Sequence, residues 1–152
     1  MRVRFLRQDE RVFATKVFGR TLPLDDVLVT DLLGAGNEPF TAVSAPNDGP
    51  FLIPIPKFIY ALNMGKDGFE NCISPPVRAG FVRELARIRQ GPMSVAGTRL
   101  CGRKDYELGQ PWTAYDSQQK ASLVEDWYRG GMRIDDPRMP YIQAHVRRGG
   151  RG

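Results

Sequence analysis

Two periodicities run along the chain. Between residues 9 and 19, Val12, Phe13, Lys16, Val17 and Phe18 recur at near-helical spacing, and Gly19 stands where a C′ glycine closes a helix. The pattern then changes. Residues 24–33 read as extended chain, with Val27-Leu-Val29 as its centre and a stop at Gly34-Ala-Gly36. Residues 37–43 and 51–56 are apolar but broken by proline, which suits edge strands or packed loops, whereas residues 59–64 form a cleaner strand pattern. Ser74 followed by Pro75 and Pro76 predicts a helix start, with the helix running from Pro76 to Gln90 and closing at Gly91-Pro92.

On that helix Val77, Phe81, Leu85 and Ile88 form one stripe, the pattern of a face turned to the core. Arg83, Arg87 and Gln90 form another. A polar linker containing Gly97, Gly102 and Gly109 leads to a third helix, Tyr115 to Tyr128, which offers Ala121, Leu123, Val124 and Trp127 for burial and ends at Gly130-Gly131. A short terminal helix is predicted after Pro140, and residues 143–152 are expected to be a partly flexible basic tail.

Composition sets the frame around these elements. With 152 residues, 41% hydrophobic and 26% charged, the chain suits one α+β domain over 1–152, with a small strand layer packed on helices. No run approaches the roughly 20 apolar residues of a membrane span, and the first residues lack the apolar stretch of a cleaved leader. The expected location is therefore the cytoplasm as synthesised, with export by a specialised secretion system left open. Cys72 and Cys101 make no disulfide framework. Cys101-Gly-Arg-Lys104 has the cations that activate a thiol, but nothing ties the single histidine, His145, to it. Gly34-Ala-Gly36 lacks the Gly-Lys-Ser/Thr of a phosphate loop. The net charge of +5 is concentrated: residues 75–104 carry 7 basic side chains and 1 acidic one, and the block that follows, 105–138, is acidic. Such neighbours screen one another, so a solvated face is expected rather than a nucleic-acid stripe. Trp112, Tyr115, Trp127 and Tyr128 could stack on bases or a peptide, but their spacing favours the core.

The chemistry centres on one pentapeptide, Arg83-Glu-Leu-Ala-Arg87. Helical metallohydrolases commonly use His-Glu-x-x-His, because residues four apart share a face and can hold one ion while the glutamate reaches the bound water. Here the spacing is kept and both ligands are arginine. A guanidinium has no lone pair to offer, so the pair repels zinc rather than binding it.

The run Phe81-Val-Arg-Glu-Leu-Ala-Arg-Ile-Arg-Gln90 resembles the Phe-x-His-Glu-Leu-Thr-His-Val-Trp-Gln helix of a group of small bacterial zinc metallopeptidase-like proteins labelled Vgr-related, akin to domains on secretion-system spikes. Val17-Phe-Gly-Arg-Thr-Leu-Pro23, Asp31-Leu-Leu-Gly34, Pro39-Phe-Thr41, Leu62-Asn-Met-Gly65 and Tyr106-Glu-Leu-Gly-Gln-Pro-Trp112 also have counterparts there. So do the 115–128 helix, Gly130-Gly131 and Tyr141-Ile142, so the likeness covers most of the chain in order. The resemblance implies a minimal zincin-like domain. It also implies a third zinc ligand, a glutamate early in the later helix, where this chain has Gln118. All three implied ligand positions, Arg83, Arg87 and Gln118, have thus changed, and Glu84, the implied general base, is left as a vestige without metal-bound water to act on.

The expectation is a pseudo-metallopeptidase that holds no metal or other cofactor and acts as a protein-binding or accessory module, with secretion-system or phage-tail-like particles among its settings. The alternative is an active zinc-dependent peptidase or secreted effector of the resembled group whose site is misread or relocated, in the latter case to His145 with Asp116, Glu125 or Asp126. For the arginines themselves, two readings stand. They replace a dication with fixed charges held by Glu84, by an acid of the 105–138 block or by water. Otherwise Arg83, Arg87 and Gln90 form a clamp for an anion or an acidic peptide. Partners are expected to be proteins or acidic peptides, with no specific nucleic acid and no membrane span.

Overall fold

The computed structural model describes residues 1–44, 58–97 and 105–148. Its sheet has four strands in the order β1 (Val3–Phe5), β2 (Val27–Thr30), β4 (Ile59–Asn63), β3 (Phe40–Ser44). β2 and β4 run parallel, with Val29 opposite Leu62, and the outer strands pair antiparallel to them. β3 is an edge, as the proline before it requires. The β1 strand was not foreseen, because three residues that alternate Val3, Arg4, Phe5 carry too little periodicity to stand out. Residues 51–56 and the Cys101 segment lie outside the described residues.

Helix α1 (Gln8–Phe18) follows β1 and ends at Gly19 with φ +68°, a backbone region that favours glycine. Its first turn is organised by Glu10, whose carboxylate accepts the Arg7 N–H at 2.8 Å. Helix α2 (Gly65–Glu70) follows β4 and was also unforeseen. Gly65 has φ +73°, and a Cβ there would meet Leu33 at 2.8 Å, so the entry to this helix needs glycine.

The main helix, α3 (Arg78–Arg89), begins two residues later than expected. Ser74 does not cap it: its carbonyl accepts the Val77 and Arg78 N–H groups in a preceding turn, and its hydroxyl is turned to Asn71 O. Phe81, Leu85 and Ile88 of the predicted stripe are buried, with Val77 half-buried beside them. Val82 and Ala86 are buried as well, because α3 lies between α5 on one side and β3 on another. This central position is what draws Glu84 and Arg87 inside. The linker after α3 opens with a short helix α4 (Pro92–Gly97) instead of irregular chain.

Helix α5 (Ser117–Arg129) starts at a reciprocal cap: Asp116 Oδ1 accepts the Gln119 N–H at 2.8 Å, and Gln119 Oε1 accepts the Asp116 N–H at 2.9 Å. Ala121, Leu123, Val124 and Trp127 are buried, as the pattern predicted. The chain then turns into α6 (Met139–Tyr141), which continues as a wider π-type turn over Ile142–Val146. Residues 143–146, expected to belong to a partly flexible tail, are part of this turn. Val146 is buried, and Arg89 of α3 donates to Val146 O at 3.0 Å and Arg148 O at 2.8 Å. Phe13 binds the helical layer together, its ring packed on Phe81 at 6.1 Å and edge-on to Tyr128 at 5.6 Å.

Candidate functional site

A cleft opens between α3, α5 and the chain leading into β3. Arg83, Glu84 and Arg87 come from α3, Gln118 from the first turn of α5, and Glu38 and Phe40 from the approach to the edge strand. The free volume is about 190 Å³. The three positions at which the resemblance puts zinc ligands thus face one space, although 31 residues of sequence separate Arg87 from Gln118. They do so because α3 and α5 pack against each other along their length.

Glu84 is buried and fully engaged. Its Oε1 accepts the Thr41 hydroxyl at 3.0 Å, and its Oε2 accepts Arg83 Nε at 3.2 Å. Arg83 is only partly exposed, so this ion pair is sheltered. Arg87 differs. It is 9% exposed, yet among the described residues no carboxylate, carbonyl or ring partners its guanidinium. Five of the acids of 105–138 are engaged elsewhere, and Asp105 and Glu107 are exposed. Glu125 takes Arg129 at 2.8 Å, Asp126 accepts the Tyr106 hydroxyl at 2.6 Å, and Asp136 takes Arg138 at 3.2 Å. Asp135 takes Arg133 and Asp116 caps α5. Of the balancing groups expected for the two arginines, Glu84 serves Arg83, and no acid among the described residues serves Arg87.

Gln90 does not join the cleft. Its amide nitrogen donates to Ala86 O at 3.3 Å and to Ser117 O at 3.1 Å, and its oxygen accepts the Ser94 hydroxyl at 3.2 Å. It fastens α3 to the start of α5 and borders a different cavity, of about 230 Å³, with Trp112, Lys120 and His145. The spacing from Arg87 to Gln90 put both on one stripe. Three residues of helical rotation, about 300°, together with the angle of α5, place Gln90 on a neighbouring face.

The relocated metal set is not assembled either. His145 stacks flat on Trp112 with ring centroids 5.1 Å apart, away from Glu125 and Asp126, which are held by Arg129 and Tyr106. Among the described residues no three His, Cys, Asp or Glu side chains are placed to share an ion. Cys72 is a core thiol: burial, and then the neighbouring Glu10 carboxylate, push its ionisation far up, and it donates to Gly68 O at 3.1 Å. Trp112, Tyr115 and Tyr141 pack among themselves, and Trp127 is buried.

Zinc does not fit the cleft. Two permanent cations and a neutral amide occupy the positions where the resemblance puts donors, and Glu84, the buried carboxylate lining the cleft, is already bound by Arg83 and Thr41. What the cleft offers instead is a sheltered cation with hydrogen-bonding capacity and an amide facing the same space.

Sequence reasoning missed Thr41. It lies in an apolar stretch next to a proline, where a hydroxyl has no reason to attract notice until the strand is seen to lie along α3. Compared with family models, curated proteins and solved structures, the chain matches none.

Proposed function

We propose that this protein is a pseudo-metallopeptidase: a zincin-like domain, related to the Vgr-associated group, that has exchanged its metal site for an arginine-lined cleft and works as a non-catalytic protein-binding module. The observation that carries the reading is the convergence of Arg83, Arg87 and Gln118 on one cleft around a buried glutamate. Those are the positions at which the resemblance expects two histidines, a glutamate and a general base. Each change removes a donor, and the local architecture that would hold an ion stays in place.

A function by contact fits what the rest of the molecule offers. No helix among the described residues is long and apolar enough to cross a membrane. Glu84 is tied on both carboxylate oxygens and is not free to activate water. The reading extends to a cytoplasmic site of synthesis and to association with secretion-system or phage-tail-like particles.

Elemental analysis of the purified protein tests it. The expected result is no stoichiometric zinc, and stoichiometric zinc after replacing Arg83→His, Arg87→His and Gln118→Glu together. One equivalent of chelator-removable zinc in the natural chain, with chelator-sensitive proteolysis, would refute the reading in favour of an active peptidase.

A further inference from the structure

Arg87 poses a thermodynamic problem. The residue is 9% exposed, and a guanidinium withdrawn that far keeps only the hydration the cleft allows it unless a partner takes the place of water. Every other arginine brought below the surface among the described residues has found one. Arg4 is held by Glu10 at 2.6 Å and 2.9 Å, Arg83 by Glu84, and Arg89 by two backbone carbonyls. Arg87 instead lines the cleft, and among the described residues its guanidinium has no such partner.

The charge of the cleft selects the missing group. Arg83 and Glu84 neutralise each other, and Glu38 is exposed at the rim. Among the described residues the buried part therefore carries one positive charge without a counter-charge, at Arg87, close to the fixed negative charge of Glu84. A monoanion matches it. A dianionic phosphate would meet Glu84 with an unbalanced second charge. Among monoanions a carboxylate suits the planar guanidinium fork and leaves an oxygen within the space that Gln118 lines.

The shape of the cleft says what carries the carboxylate. Past Glu38, Pro39 and Arg83 the cleft continues into a groove of about 450 Å³, bordered by Leu33, Met64, Pro76 and Val77. Leu33 is exposed and Val77 half-buried, so apolar surface opens on one wall, while Lys66, Asp67, Glu125 and Arg129 bring charge to the rest of the lining. A polar chamber leading into a groove with one apolar wall and a charged remainder suits an extended polypeptide that drops one acidic side chain, lays an apolar neighbour against Leu33 and Val77, and leaves its polar groups to the other wall. Arg87 lies deep, and the methylene stem of a glutamate carries its carboxylate below the backbone, leaving the peptide groups in water.

We infer that the cleft recognises an extended segment of a partner protein by one internal glutamate, bound at Arg87 and Gln118, with an adjacent apolar residue in the groove beside Val77 and Met64. This rests on the proposed non-catalytic binding function and names its ligand.

The test is an NMR titration of the ¹⁵N-labelled protein, following the Arg87 Nε–Hε and Gln118 side-chain amide signals. The probes are the blocked peptide acetyl-Ala-Leu-Glu-Leu-Ala-amide, its Gln counterpart, acetyl-Ala-Leu-Ala-Leu-Ala with a free C-terminus, and inorganic phosphate. The Glu peptide should shift both signals saturably and bind at least about ten-fold more tightly than the Gln peptide. Replacing Arg87→Gln should abolish that preference with the remaining spectrum preserved, and Val77→Ser should weaken the Glu peptide about three-fold or more. Should Arg87→Gln fail to fold, Arg87→Lys, which keeps the charge and loses the fork, should cut the preference. Equal binding of Glu and Gln peptides, tighter binding of the free C-terminus or of phosphate, or absence of a saturable shift would overturn the inference. Zinc analysis is indifferent to all these outcomes, so a metal-free protein that fails here leaves the pseudoenzyme reading standing. A zinc-loaded one removes both.

Discussion

Thr41 on the edge strand donates its hydroxyl to Glu84 in the middle of α3, at 3.0 Å, and both residues are buried. A residue that a metallopeptidase would hold ready for water here pins the sheet to the central helix. Glu84→Ala should therefore lower stability by about 3 kcal/mol, since it strands the Arg83 guanidinium and the Thr41 hydroxyl together. Glu84→Gln, which still offers Thr41 an acceptor, should cost roughly 1 kcal/mol. Urea denaturation of the two variants checks this, and a Glu84→Ala protein as stable as the natural one would deny Glu84 its bracing role.

Gln90 gives the complementary expectation. It holds α4 and the first turn of α5 through Ser94 and Ser117 without bordering the cleft. Gln90→Ala should lose about 1–2 kcal/mol of stability while peptide titration at Arg87 is unchanged. A selective loss of binding with stability intact would return Gln90 to the clamp.

Acid should find the molecule's weak point at Glu10. Burial alone would raise its ionisation, but the forked bond from Arg4 and the N–H groups of Arg7 and Cys72 outweigh it and hold the carboxyl down at about 2, against 4.5 for a free glutamate. A lowered folded-state value contributes stability that is complete above about pH 4.5 and is lost as the pH falls toward 2. The window holds on the order of 3 kcal/mol. Denaturation midpoints followed from pH 5 to pH 2 should fall steeply in the natural protein. Glu10→Gln should start lower and fall less, and parallel curves for the two would rule out Glu10 as the titrating group.

How much of this the sequence reveals depends on the range of the interactions. Helices α1, α3 and α5 announce themselves because their apolar positions repeat over three turns, and their ends are marked locally by Gly19, Gly91 and Gly130. β1, α2 and α4 are three to six residues long, and nothing local distinguishes them from loop. Within the cleft, Arg83, Arg87 and Gln118 are legible through one pentapeptide and a resemblance. The partition between them is not: that Glu84 pairs with Arg83, and that Arg87 has no pair among the described residues, follows from the packing of β3 and α5 on α3. A guanidinium reads the same in a sequence whether it is solvated, paired or stranded.

The same packing decides the nucleic-acid question. The basic block on 75–104 becomes a binding stripe only if its charges share an exposed face, and the described members do not. Arg83 is bound to Glu84, Arg87 is enclosed, Arg89 donates to the carbonyls of Val146 and Arg148, and Arg78 alone of these four is exposed. Duplex binding engages several phosphates at once, and log affinity then falls by about 0.9 per phosphate with log salt. A mobility-shift titration with duplex and single-stranded DNA at about 150 mM salt should accordingly show only feeble retention, insensitive to Arg83→Ala/Arg87→Ala. Tight binding at that salt, weakened by the double substitution, would mean that the cleft opens its arginines to phosphate, and it would put nucleic acid ahead of an acidic protein segment as the ligand.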